Sequence, residues 1–230
     1  MSLESSDRLW KLLGLLLKSH PWHGVPIGDL APLVATAYIE IVPSDTVKYE
    51  LDKETGFLKV DRPQRYSNVC PALYGFLPQT FCGEKTAEFS ASKTGMLDII
   101  GDGDPLDICV LSEKSISHGN LLMQCIPVGG FRMIDGKEAD DKIIAVMKGD
   151  LVYGKYKSIH ELPELTVERL RHYFLTYKDI PGDISGSRCK ITHTYDQAEA
   201  QEVIRRSQQD YFNRFGDIKS VLTSLLRFEE

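Results

Sequence analysis

Three aspartates lie close together at residues 101–107, where the sequence runs Gly-Asp-Gly-Asp-Pro-Leu-Asp. They are Asp102, Asp104 and Asp107, and the intervening Gly103 and Pro105 disfavour both helix and regular strand, so we expect a turn. Carboxylates at this spacing repel one another unless a cation neutralises them. Because hard oxygen donors select Mg²⁺, Mn²⁺ or Ca²⁺ over softer metals, the segment predicts a divalent-cation site.

The alternative for this segment is an ordinary solvated turn, since Asp and Gly are common turn formers. Mainly apolar runs at residues 96–100 and 106–111 flank the acids, so we expect the turn at the mouth of buried strands. An EF-hand does not fit. Counting from Asp102, its fifth and sixth positions hold Leu106 and Asp107, where that loop requires an oxygen ligand and glycine.

A second acidic turn spans residues 135–142 and contains Asp135, Glu138, Asp140, Asp141 and Lys142. Both acidic turns emerge from the ends of predicted strands, so a closed sheet could bring them together. The carboxylates of the two turns would then form a cage around a shared site. This cage is too negative for one structural divalent ion and suits several ions that bind a polyanionic phosphate. Phosphate oxygens would then be met by nearby bases, for which the candidates are Lys48, Arg62, Lys142 and Lys178.

Composition limits the classes of partner. The 230 residues are 42% hydrophobic, which is enough for a real core, and 33 acids against 27 bases give a net charge of −6. This charge argues against nonspecific binding to nucleic acid or to an anionic membrane. The cysteines are odd in number and contain no Cys-x-x-Cys pair, so a reducing, cytoplasmic location is expected. The apolar run 12–17 is far too short to span a bilayer.

Hydrophobic periodicity predicts a β-rich body with helices towards the end of the chain. Strands are predicted at residues 37–42, 47–51, 57–61, 121–128, 131–134 and 142–147, and helices at 6–17, 163–178, from Asp196 onward, and at 218–226. Residues 70–81 are expected to be buried and residues 83–95 to form a surface loop. Residues 19–32 read as irregular, and His20 and His23 within them are expected at the surface rather than on a metal.

Local patterns alone leave several polar residues without a function. In residues 47–51 strict alternation places Lys48 and Glu50 on one face, and a solvent-facing pair is the simplest interpretation. Tyr74 and Tyr177 lie in apolar surroundings, which favours core aromatics.

Taken in order, the motifs resemble those of the soluble family I inorganic pyrophosphatases. The matching pieces are Ile-Glu-Ile-Val-Pro at 39–43, Val-Lys-Tyr-Glu at 47–50, Val-Asp-Arg at 60–62, Tyr-Gly-Phe at 74–76, the Asp-x-Asp-Pro-x-Asp signature, the turn 135–142, and His-Tyr-Phe at 172–174 with Tyr177 and Lys178. The resemblance covers roughly residues 38–178. Cys70 and Gly136 depart from it, since the family usually has tyrosine and glutamate there.

The resemblance implies an α+β protein built on an OB-like five-stranded closed β-barrel, with additional strands and appended helices. Residues 1–36 would form an N-terminal helical extension, and residues 37–230 the barrel domain with its C-terminal helices. The implied activity is hydrolysis of pyrophosphate to two phosphates with several Mg²⁺ ions, for which Mn²⁺ would substitute. A homo-oligomer is expected, with neither nucleic acid nor membrane as a partner.

The resemblance also implies a role for each candidate residue. The metal ligands would be Asp102, Asp107, Asp135, Asp140 and, through water, Glu50. Asp104 would orient and deprotonate the attacking water, and Glu40 would lie behind the ligands. Phosphate oxygens would be held by Lys48, Arg62, Tyr74, Lys142, Tyr177 and Lys178.

Two other functions stay open at this point. A nucleic-acid-binding OB-fold would use the basic and aromatic clusters Arg65-Tyr66 and Lys155-Tyr156-Lys157, although the acidic cage argues against it. A related phosphohydrolase acting on a nucleotide or a polyphosphate is poorly separated from a pyrophosphatase by sequence.

Overall fold

A computed structural model of the chain describes residues 19–179 and 188–216. The predicted helices at 6–17 and 218–226 lie outside the described residues. The strands are β1 (Ala35–Ile41), β2 (Val47–Leu51), β3 (Leu58–Pro63), β4 (Leu73–Phe76), β5 (Ile100–Gly101), β6 (Asp107–Leu111), β7 (Leu121–Asp135), β8 (Glu138–Ala139), β9 (Lys142–Met147) and β10 (Cys189–Asp196). The helices are α1 (Glu84–Thr94), α2 (Glu164–Thr176) and α3 (Gln197–Phe215), with a short 3₁₀ turn at Ile159–Glu161.

Five strands pair in a ring. β1 pairs with β4, β4 with β6, β6 with β9 and β9 with β7, and β7 then pairs with β1. The β6–β9 pair is parallel and the other four are antiparallel. The second half of the long strand β7 also carries β10. The α+β class is confirmed as a mixed sheet containing a ring of five strands.

Alternate residues of the ring strands enter two different cores. Ile108 and Ile143 pack in the same cluster as Ile204 of α3, whereas Ile144 packs in the same cluster as Phe174 of α2. Both faces of β6 and β9 are therefore covered, as their near-continuous apolar sequences require. The charged residues of these two strands, Asp107 and Lys142, are the first residue of each strand, and the site lies at that end. Within the described residues, no helix is both long enough and apolar enough to cross a bilayer.

Residues 83–95 contain helix α1, so their prediction as a surface loop is wrong. Apolar periodicity is weak because the buried residues of α1 are Thr86, Ala87 and Ser90. Its first amides are capped from α3, where the Asp210 carboxylate accepts hydrogen bonds from Gly83 N at 3.0 Å and Lys85 N at 2.9 Å. A cap supplied from so far along the chain leaves no signal in the local sequence.

Other boundaries also differ from the predicted ones. Residues 121–128 and 131–134 are one continuous strand, β7, with an irregularity opposite β9 between Pro127 and Gly129. No strand is predicted at residues 189–196, yet β10 lies there along β7. The apolar run 96–100 is not buried, since Leu97 is 87% exposed.

The two predicted helices within the described residues are confirmed. α2 begins after Pro163, and Leu165 in its first turn is 83% exposed. Asp196 caps α3 by accepting a hydrogen bond from Glu199 N at 3.1 Å. The segment before β1 packs on the end of this helix: Trp22 is buried, and His23, predicted at the surface, is partly buried with its Nδ1 2.7 Å from the Tyr211 hydroxyl.

Candidate active site

The ends of the ring strands and the β2–β3 hairpin surround a cavity of about 540 Å³. Every residue predicted to act in catalysis, metal binding or substrate binding lines it. These residues are Glu40, Lys48, Glu50, Arg62, Tyr74, Asp102, Asp104, Asp107, Asp135, Asp140, Lys142, Tyr177 and Lys178. The fold therefore brings both acidic turns and the predicted bases to one place.

The first acidic turn is fixed by hydrogen bonds to the backbone of Cys82 and by one within the turn. Gly103 has a φ of +75°, a conformation that favours glycine, and its N–H donates to the Cys82 carbonyl at 3.0 Å. The Cys82 N–H donates in turn to the Asp104 carbonyl at 2.8 Å, and the Asp104 N–H donates to Asp102 Oδ1 at 2.9 Å. The turn holds Asp102 and Asp104 at the cavity without a helix or strand around them.

Parallel pairing of β6 with β9 places Asp107 directly beside Lys142. The Lys142 ammonium group donates to both Asp107 and Asp140, and its side chain is almost fully buried. The Tyr74 hydroxyl donates to Asp107 Oδ2 at 2.6 Å. One lysine thus lies between two carboxylates from different turns, and a tyrosine hydroxyl completes the group.

Burial and mutual repulsion change the pKa values of this group. Burial raises the pKa of Asp107, although the Lys142 ammonium opposes that effect. For Lys142 burial alone would lower the pKa, but Asp107 and Asp140 raise it well above its usual range. The ammonium group therefore keeps its proton and partly neutralises the two acids.

Two further carboxyls hold protons up to unusually high pH. Burial, followed by the neighbouring charge of Asp140, raises the pKa of Asp102 to about 8. Burial likewise raises the pKa of Glu40 to about 8, and Glu40 Oε1 accepts a hydrogen bond from Leu51 N at 2.7 Å. Perturbed pKa values of this kind cluster at functional sites.

Asp135 closes the opposite wall of the cavity. Its carboxylate accepts a hydrogen bond from Lys178 Nζ, and Arg188 Nε lies 3.4 Å from its Oδ1. Oδ1 is buried and accepts no hydrogen bond from the described residues, so its contact with Arg188 is electrostatic only. Asp135 thus keeps an oxygen available for another ligand.

The hairpin wall corrects the interpretation of Lys48 and Glu50 as a solvent-facing pair. Lys48 Nζ lies 3.1 Å from Glu50 Oε2 and 3.0 Å from Asp61 Oδ2, and Lys48 pairs across the hairpin with Arg62. The Lys48 side chain is only 27% exposed. Alternation identified the shared face correctly, but the hairpin turns that face over the cavity.

Several lining residues were not predicted. They are Lys53, whose ammonium contacts Asp104, together with Tyr173 and Arg188. Lys53 follows β2 in a polar turn and carries no local sign of its partner. Arg65, assigned above to the nucleic-acid alternative, also lines the cavity, and its Nη1 donates to the Lys178 carbonyl at 3.1 Å.

The donor set fits hard divalent cations. The described lining residues offer carboxylate oxygens and neither imidazole nor thiolate, which favours Mg²⁺ or Mn²⁺ over zinc. Among residues 19–179 and 188–216 no three acidic, histidine or cysteine side chains already enclose a point where an ion could bind. Lys142 and Lys178 instead lie against the carboxylates, so metal binding requires their ammonium groups to shift.

Comparison with known proteins gives a consistent result. The family model for inorganic pyrophosphatase matches residues 37–212. The chain is 51% identical over 200 residues to the inorganic pyrophosphatase of Chlamydia trachomatis, covering 86% of this chain and 96% of the relative. It is 39% identical over 160 residues to the soluble inorganic pyrophosphatase of Oryza sativa subsp. indica, covering 70% and 66%. The crystal structure of the Thermus thermophilus inorganic pyrophosphatase superposes with a TM-score of 0.69 at 30% identity, covering 84% and 98%.

Proposed function

Because the chain belongs to the inorganic pyrophosphatase family and hydrolyses pyrophosphate, we propose that the cavity at the strand ends is the active site and that it works with divalent cations. The observation that carries the proposal is the alternation of acids and bases around Lys142, which lies between Asp107 and Asp140. Pyrophosphate needs both kinds of group, since cations must be held by carboxylates and phosphate oxygens by bases.

The ions would be held by Asp102, Asp107, Asp135, Asp140 and Glu50, with Mg²⁺ as the natural ion and Mn²⁺ as its substitute. When bound, they neutralise the substrate and lower the pKa of a coordinated water. The buried Asp135 Oδ1, which accepts no hydrogen bond from the described residues, supports this assignment. So does the high pKa of Asp102, because a cation would replace the proton that this carboxyl holds.

Asp104 would be the general base. Unlike Asp107, it is not enclosed by neighbours, since its side chain is 43% exposed and its contact is with the equally exposed Lys53. An open carboxylate can accept the proton of an attacking water and release it to solvent. Its position on the fixed turn, two residues from Asp102, keeps it beside the proposed ligands.

The bases and tyrosines would bind and orient the substrate. Lys48 and Arg62 face it from the hairpin, and Lys142, Lys178 and Tyr177 from the strand ends and the region after α2. With cations bound to the carboxylates, the ammonium groups of Lys142 and Lys178 would be free to turn from Asp107, Asp140 and Asp135 to phosphate oxygens. The Tyr74 hydroxyl adds a hydrogen bond without adding charge.

Further features of the resemblance belong to the same proposal. The ring of five strands would be the closed OB-like barrel, and Glu40 would support the ligand set from behind through Leu51. Division of the chain at residue 36, homo-oligomeric assembly and a cytoplasmic location remain predictions.

Phosphate release from pyrophosphate, ATP and tripolyphosphate, measured with Mg²⁺ and with a chelator, tests the proposal. We expect release from pyrophosphate with Mg²⁺, little from the other two substrates, and none in chelator. Release that survives exhaustive chelation would refute the proposed metal dependence, and faster release from ATP or tripolyphosphate would favour the related phosphohydrolase.

A further inference from the structure

A buried ion pair lies directly behind the second acidic turn. Asp141 follows Asp140 and precedes Lys142, and its Oδ2 lies 2.6 Å from Arg132 Nη1. Exposed fractions are 5% for the Asp141 side chain and 1% for Arg132. Asp140 and Lys142 line the cavity, whereas Asp141 is absent from the described lining and faces the opposite way, as alternation along an extended chain requires.

The Arg132 guanidinium is held on several sides. Its Nη2 lies 2.7 Å from Glu199 Oε1 at the start of α3, and Glu199 pairs in turn with Lys93 of α1 at 2.9 Å. The guanidinium also lies over the ring of Phe89 at 5.0 Å. Arg132 therefore links the acidic turn to two helices that contribute no predicted site residue.

Tyr195 adds a second contact to the pair. Its hydroxyl donates to Asp141 Oδ2 at 3.2 Å, and its ring lies 5.1 Å from the Arg132 guanidinium. A backbone hydrogen bond also joins the acidic turn to β7. The Asp140 N–H donates to the carbonyl of Met133, the residue after Arg132, at 3.0 Å.

Stability alone is a poor explanation for this pair. Arg132 Nε and Asp141 Oδ1 are buried and have no hydrogen-bond partner among the described residues. A buried ion pair without its full set of hydrogen bonds is often no more stable than an apolar pair of similar volume. One member of the pair, Asp141, lies in the chain between Asp140 and Lys142, which are both proposed site residues. This position indicates that the pair supports the site rather than the stability of the fold.

We propose that Arg132 and Asp141 are positioning residues, which fix the turn 140–142 so that Asp140 faces the metal site and Lys142 the substrate. This rests on the proposed function of the cavity. Neither Arg132 nor Asp141 is among the described residues that line the cavity, so the pair acts only through the backbone of its neighbours. Supporting contacts behind metal ligands typically change metal affinity or activity by about 10- to 100-fold when removed.

Three variants of the full chain test the proposal. Asp141→Asn keeps the shape and removes one charge, and the double variant Arg132→Met with Asp141→Leu removes the pair without leaving a lone buried charge. Asp150→Asn is the control, because Asp150 is a buried carboxylate that is absent from the described cavity lining. For each, calorimetric Mn²⁺ binding and pyrophosphate binding are measured beside thermal unfolding and turnover.

We expect the double variant to unfold near the wild-type temperature yet to bind Mn²⁺ about 10- to 100-fold more weakly, with turnover partly restored by excess metal. Asp141→Asn should lose affinity by a smaller factor, and Asp150→Asn should lose thermal stability without losing affinity. Wild-type affinity and turnover in the folded double variant would overturn the positioning role.

If the double variant does not fold, the test uses Asp141→Asn and Glu199→Gln, each of which removes one charge that contacts Arg132. Wild-type affinity for Mn²⁺ and for pyrophosphate in both variants would then overturn the proposal. The proposed function is tested separately: if the wild-type protein does not bind Mn²⁺, the proposed metal site is wrong. In that case pyrophosphate affinity of the same variants still reports on Lys142, and unchanged affinity overturns the positioning role.

Discussion

Asp150 is buried and the cavity acids Asp102 and Asp107 are partly buried, but the protein treats Asp150 and these two acids in opposite ways. Asp150, just after β9, accepts hydrogen bonds from Tyr153 N at 2.7 Å, Glu113 N at 2.8 Å, Val152 N and the Ser112 hydroxyl. Burial opposes ionisation there, but these donors hold the pKa of Asp150 below its usual value. A carboxylate that only shapes a loop is thus satisfied by uncharged donors from that loop.

The cavity acids lack such donors. Asp102, which accepts one backbone hydrogen bond, has its pKa raised to about 8 by burial and by the neighbouring Asp140, and Asp107 depends on Lys142 and Tyr74. Oxygens left short of donors inside a fold raise its free energy unless a ligand binds them. The difference indicates that the acids at the strand ends are kept for binding and the acid after β9 for structure.

The largest effect on turnover is expected from Asp104→Asn, which is compared with Asp107→Asn. The comparison separates the proposed general base from a proposed metal ligand. If Asp104 is the base, Asp104→Asn should reduce turnover by about 10²- to 10⁴-fold while metal binding stays close to wild type. Asp107→Asn should weaken metal binding and turnover together, with partial rescue at high Mg²⁺. Calorimetric Mg²⁺ titration beside steady-state turnover measures both quantities. Equal loss of metal affinity in the two variants would make Asp104 a ligand instead.

Lys142→Met tests whether the lysine replaces a cation in the metal-free site. Without the ammonium group the partly buried Asp107 and Asp140 lose their shared charge partner, and about 3–5 kcal/mol, the usual cost of breaking a fully buried pair, is the upper limit of the expected loss. We expect that loss in urea unfolding with chelator, and a smaller loss with Mg²⁺, because the ion then supplies the missing charge. Phosphate release should fall in either case. An equal stability loss with and without Mg²⁺ would contradict the exchange between lysine and metal.

Asp150→Ala should cost stability alone, by about 1–3 kcal/mol, since it leaves buried backbone N–H groups without an acceptor. The folded pKa of Asp150 lies below the unfolded value of 3.8, so its contribution is present above that pH and is lost as the pH falls through the folded pKa. Urea unfolding at neutral and acid pH should therefore show the variant approaching wild type in acid. A change in Mg²⁺ affinity would contradict the assignment of Asp150 to structure alone.

The parts of the fold and the site that could be predicted are those whose residues lie close together in the sequence. Asp102, Asp104 and Asp107 share one turn, so their proximity is nearly fixed before the chain folds, and their neighbours at 106–111 form a buried strand as expected. The predicted strands at 37–42, 47–51 and 57–61 lie within a few residues of β1, β2 and β3. The bases of the site were candidates by their charge, but their roles were assigned by family resemblance, because a lone Lys48 gives no local sign of its target.

What was missed depends on contacts between distant segments. Helix α1 is polar and is capped by Asp210, and Lys53 reaches Asp104 from 51 residues away, so neither leaves a local pattern. Asp141 looked like one more acid of the second turn. Its pairing with Arg132 on β7 identifies the buried partner that it faces on the side away from Asp140.

Glu40→Gln carries the pH comparison in the opposite direction from Asp150. Burial raises the pKa of Glu40 from 4.5 to about 8, so between these values the folded metal-free protein holds a proton that the unfolded chain has lost. This contribution is complete below the unfolded pKa and falls by about 1.4 kcal/mol per pH unit as the pH rises towards 8. Glutamine can still accept the Leu51 N–H and does not titrate.

The quantity to follow is the free energy of unfolding of wild type minus that of Glu40→Gln, measured in urea with chelator at several pH values. It should decrease steadily between about pH 5 and pH 8, because only the wild type must release a buried proton. With Mg²⁺ the slope should shrink, since cations near Asp107 favour the ionised form of Glu40. A difference that stays constant would mean that Glu40 is already ionised in the metal-free protein. In that case, its environment would resemble that of Asp150 more than that of the cavity.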